Sequence, residues 1–72
     1  MMAKLITAER PGDVALQVER LLREGHRRFV VRRIDHGGML DMERMGAAHY
    51  AAGIQSEVVL EEEAPTAVAA AR

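Results

Sequence analysis

Three short runs rich in β-branched and other apolar residues are separated by segments long enough to hold helices. They are Lys4-Leu-Ile-Thr-Ala8, Arg27-Arg-Phe-Val-Val-Arg-Arg-Ile-Asp35 and Ile54-Gln-Ser-Glu-Val-Val-Leu-Glu61. This alternation constrains the fold more than any other feature of the chain. Strands joined by helix-length connections favour right-handed crossovers, and the helices then cover one face of the sheet. The expected architecture is an α/β (α+β) two-layer sandwich with a small sheet of three to four strands. Its element order is β-α-β-(β)-α-β, with two helices on one face, loosely ferredoxin-like.

The first connection carries the clearer helical signal. Val14, Ala15, Val18, Leu21 and Leu22 fall on one stripe, Asp13 favours the positive helix start, and Gly25 is placed to end the helix. Glu9-Arg10-Pro11-Gly12 reads as the turn before it. The second connection is ambiguous. His36-Gly37-Gly38-Met39 is a hairpin signal that would make residues 39–45 a returning strand, whereas the Met, Glu, Arg and Ala of residues 41–52, stopped by Gly53, favour a helix. We favour the helix. It has no single apolar stripe: Met42, Met45, His49 and Ala52 form one seam and Leu40, Ala47, Tyr50 and Ala51 another, with Asp41, Glu43 and Arg44 between them. One seam is expected to face the sheet and the other a partner.

Phe29 and Val31 alternate with Val30 and Ile34, so the Arg27 to Asp35 strand is apolar on both faces and is expected to be interior. Residues 1–64 read as one small α/β domain, and residues 65–72, an Ala-rich stretch without periodicity that begins at Pro65, as a flexible tail.

Seventeen of the 72 residues are Leu, Ile, Val or Phe, enough for a folded core, and there is no cysteine to reinforce it. A chain this short buries a modest share of its surface, so oligomerisation would help it. Nothing resembles a secretory signal or a membrane span, which makes the cytoplasm the default expectation.

Charge is divided along the chain. Residues 1–33 carry a net +4 and residues 34–72 a net −5. Arg27, Arg28, Arg32 and Arg33 form the densest cationic run. Guanidinium forks suit phosphate oxygens, so these four are the candidate anion-binding residues. Phe29 and Tyr50 are the only aromatic residues, too few for base stacking. Pairing of the arginines with Glu57, Glu61, Glu62 or Glu63 on a neighbouring strand is the favoured role.

Asp35, His36, Asp41 and His49 are the only grouping with metal-ligand chemistry, and their spacing is poor, so no metal and no cofactor is expected. Ser56, Thr7, Thr66 and Lys4 sit in no nucleophile motif, and Glu61 to Glu63 read as a solvated run, so no catalytic residue is assigned. The expected function is a small non-enzymatic protein-binding module, an accessory, regulatory or inhibitory subunit acting as a homo-oligomer. Met42, Met45, His49 and Ala52 would supply its interface, with His49 as a protonation switch near pH 6 and Met45→Asp as a dissociating change. The alternative is a nucleic-acid or anionic-ligand binder using the Arg27 to Arg33 strand.

Overall fold

A computed structural model describes residues 2–62. The elements run β1 (Lys4–Ile6), α1 (Pro11–Arg23), β2 (Arg28–Val31), α2 (Met39–Ala52) and β3 (Glu57–Leu60). The sheet is wholly parallel, in the order β1-β2-β3. The Arg27 to Asp35 run, shortened to four residues, takes the interior place that its two apolar faces demand. The residue 65–72 tail lies outside the described residues.

Among the described residues the optional fourth strand is absent, because residues 39–45 belong to α2, and the wholly parallel three-stranded sheet departs from the ferredoxin-like arrangement expected. His36 and Gly37 adopt φ of +49° and +80°, and Gly38 then returns to extended backbone and launches α2 in place of a hairpin. Two carboxylates fix that turn. Asp35 Oδ2 accepts from the Leu40 amide at 3.0 Å, in the first turn of α2. Asp41, in the same turn, accepts from the amides of Ile34, Asp35 and Gly37 at 2.7–2.9 Å. The Arg32 amide still bonds the Ile6 carbonyl, and the amides of Arg33, Ile34, Asp35 and Gly37 bond side chains instead of a strand, so the chain leaves the sheet just beyond β2.

Pro11 opens α1 where its missing N–H costs nothing. Gly25, at φ +101°, ends the helix beyond Glu24, and the Gly25 amide bonds the Leu22 carbonyl. The Val14, Val18 and Leu21 stripe is buried against Ile6, Phe29, Val31 and Val58 of the sheet and Ala48 and Ala52 of α2. Small alanines at the α2 positions let the two helices approach closely over one sheet face.

Candidate interaction surface

In a parallel α/β sheet the carboxyl ends of the strands and the helix starts above them are the usual place for a ligand. Here that end is filled by the chain itself. Arg44, wholly buried, donates through Nε and Nη2 to the Ala8 carbonyl at 3.0 and 2.7 Å. Its Nη1 donates to the Arg32 carbonyl and, at 3.1 Å, to Asp41 Oδ1. One guanidinium thus ties the β1–α1 loop, the end of β2 and the β2–α2 loop to α2. Asp41 is equally buried. Burial by itself would raise its pKa, but the amides of Ile34, Gly37 and Asp35 and the Arg44 guanidinium outweigh that and lower it from 3.8 to about 2. The loop amides that could have gathered a phosphate already hold this carboxylate.

Large apolar side chains are exposed on the helix layer, among them Leu16, Met42 and Tyr50, and a contiguous apolar row lies on the other side of the sheet. Register places Leu5, Val30 and Val59 in one row across all three strands. The neighbouring residues on each strand point into the helix layer, so this row faces away from it. Leu5 and Val59 are 42% and 43% exposed. The row below pairs Arg28 with Glu57, Nε to Oε1 at 3.1 Å, both side chains more than half exposed. A shallow cleft bounded by Ala3, Arg28, Val30, Glu57 and Val59 joins the two rows.

The sequence-selected residues are distributed unevenly around this surface. Arg28 stands on it. Arg27 turns back to the carbonyls of Leu22 and His26, and Arg33 bonds Glu61 through its Nε to the Glu61 carbonyl and its amide to Glu61 Oε1. Arg32 is exposed and follows Val30 on the open face. The expected pairing of the arginines with the glutamates is seen in part: Arg28 pairs with Glu57, Arg33 meets Glu61 through main-chain groups, and Arg27 bonds main-chain carbonyls instead.

The Met42, Met45, His49 and Ala52 seam runs across the boundary between the buried and the solvent-facing sides of α2. Ala52 belongs to the core, Met45 is half-buried against it, and Met42, 61% exposed, and His49 face solvent. The inward stripe of α2 runs instead through Asp41, Arg44, Ala48 and Ala52. Two of these four are charged, so apolar periodicity passes over them; the only sequence signal was their i,i+3 spacing of opposite charges at the start of a helix.

Thr7 and Ser56 lie at opposite ends of the parallel sheet, Lys4 stands exposed on β1, and Thr66 is outside the described residues. Asp41 and His49 are eight residues apart on α2, about 12 Å along its axis. Among the described residues no group of three or more His, Asp or Glu side chains could hold a metal, and no helix is long and apolar enough to cross a membrane. Comparison of the chain with protein-family models, with curated proteins and with solved structures gives no match.

Proposed function

We propose that this chain is a small non-enzymatic protein-binding module that self-associates through its open sheet face. The supporting observation is the Leu5, Val30 and Val59 row. Parallel sheets occur almost only with both faces covered, and among the described residues this one has helices on one face alone. A second layer from another protein surface completes the arrangement that the backbone topology favours. The Asp41 and Arg44 network supports a structural reading of the opposite region, since it fills the strand ends with the chain's own groups.

The size of the face sets the strength of association. Three strands about 4.8 Å apart, of three, four and four residues, present at most about 190 Å², against roughly 800 Å² per partner in a standard stable interface. Association through this face alone is weak and concentration-dependent. In the proposed assembly Val30 sits at the centre, with Arg28 and Glu57 on the rim, where charges affect rate and register more than affinity.

Dilution of isotope-labelled protein tests the proposal. The amide resonances of Leu5, Val30 and Val59 should shift with concentration, and those of Met42 and His49 on α2 should stay still. Shifts confined to α2 would move the interface to the helix layer and end the sheet-face reading.

A further inference from the structure

The two edges of the sheet are not equivalent. On β1, the Ile6 carbonyl bonds the Arg32 amide, so in the alternation of a parallel strand the backbone groups of Leu5 and Thr7 point outward. The outer edge of β1 is blunted at its end: Gln17 Oε1 on α1 accepts from the amides of Thr7 and Ala8, both at 3.1 Å. On β3, the amides of Glu57 and Glu61 bond the carbonyls of Arg27 and Val31. The N–H and C=O groups of Val58 and Leu60 therefore point away from β2, and β3 has no neighbour on that side among the described residues.

We infer that the outer edge of β3 is a strand-addition site for an extended segment of a protein partner in which basic residues flank three apolar ones. This rests on the protein-binding reading and names the partner's chemistry. Charge complementarity selects the occupant: Glu57 already pairs with Arg28 and Glu61 Oε1 accepts from the Arg33 amide, but the Glu57 side chain is 57% exposed and a carboxylate accepts from more than one donor. An added strand would place two of its side chains beside Glu57 and Glu61, one beside Val59 between them, and two beside Val58 and Leu60 over the helix layer. The matching pattern is basic, apolar, apolar, apolar, basic. β2 already has this pattern, Arg28-Phe29-Val30-Val31-Arg32, and it lies against the inner side of β3 with Arg28 facing Glu57 and Val30 facing Val59. The pattern reads the same in both directions, so a parallel or an antiparallel segment satisfies it. A second copy of the chain fits poorly: its own basic strand is interior, and its exposed β3 would bring Glu57 and Glu61 against an equally acidic edge. Backbone hydrogen bonds to Val58 and Leu60 would supply affinity and the flanking charges specificity.

The probe is a capped peptide with the sequence of residues 26–33, and its control carries glutamate at the four arginine positions. Both are titrated into labelled protein, and backbone amide exchange is followed. The basic peptide should slow exchange at Val58 and Leu60, whose N–H groups point outward, and leave Val59, already bonded to β2, unchanged. It should do so less in Glu57→Lys, which should in turn favour the glutamate peptide. Leu60→Pro, which removes one outward N–H without touching the ladder to β2, supplies a second variant should Glu57→Lys fail to fold. Equal response to both peptides, protection confined to Leu5, Val30 and Val59, or no response to the basic peptide would each overturn the edge proposal. Concentration-dependent shifts of the sheet-face amides in peptide-free protein report separately on the self-association reading.

Discussion

Replacing Arg44 with methionine keeps the length of the side chain and removes the guanidinium. The Ala8 and Arg32 carbonyls lose their buried donor, and Asp41 is left charged, enclosed and without its counter-ion. Removing one partner of a buried ion pair costs about 3–5 kcal/mol. At 0.05–0.15 kcal/mol per residue, a domain of 72 residues has roughly 4–11 kcal/mol in all. Arg44→Met should therefore remove a large part of the stability, moving the urea midpoint far down with little change in slope. Asp41→Asn should cost a similar amount, because an amide cannot accept from the Asp35 and Gly37 N–H groups while also serving Ile34 and Arg44. The double variant should cost less than the sum, since each single change already breaks the shared network. Urea unfolding followed by circular dichroism measures all three. A loss below about 1 kcal/mol for Arg44→Met, the range of an exposed pair, would refute the reasoning.

Four further outcomes follow from the same contacts. The folded-state pKa of Asp41 lies below its ordinary value, so the stability from its ionised form is present above pH 4 and lost as the pH falls from 3.8 through about 2; an acid titration of unfolding should show this loss, and Asp41→Asn should lack that component. A Cβ on Gly38 would sit 2.7 Å from Asp35 Oδ2 and 3.0 Å from the Asp35 carbonyl oxygen, so Gly38→Ala should destabilise the domain by about 1–3 kcal/mol in the same urea assay. Met45→Asp, expected from sequence to dissociate an oligomer, should instead lower the melting temperature, because Met45 packs against the core, whereas Met42→Asp should leave it nearly unchanged. Val30→Lys should abolish concentration-dependent association in sedimentation while the circular dichroism spectrum stays native.

The parts of the fold that rest on apolar periodicity were legible. The Val14, Val18 and Leu21 stripe, the Gly25 stop and the two-faced apolar strand at residues 28–31 each express a local rule that tertiary contacts reinforce. The β2–α2 junction was not legible in full. His36-Gly37-Gly38 supports both a hairpin and a helix start, and the deciding contacts come from Asp35 and Asp41, whose carboxylates reach amides four to seven residues away. The α2 stripe was hidden for a related reason: Asp41 and Arg44 are buried because they satisfy each other and the backbone of two loops, β1–α1 and β2–α2, and no hydrophobicity pattern encodes that. For the candidate surface, the pairing of Arg28 with Glu57 follows from charge order along the chain. The open row of Leu5, Val30 and Val59 needed the register, because a strand pattern does not say which face the helices choose.

Light scattering over a concentration series, at about 0.1 M and about 1 M salt, tests the central claim most directly. An apolar face holds or tightens as salt rises, whereas charge contacts weaken. Self-association through the sheet face should give a mass that climbs above the 8.0 kDa of one chain as concentration increases, at both salts, and that stays at one chain for Val30→Lys. A mass of 8.0 kDa at every concentration and both salts would contradict it.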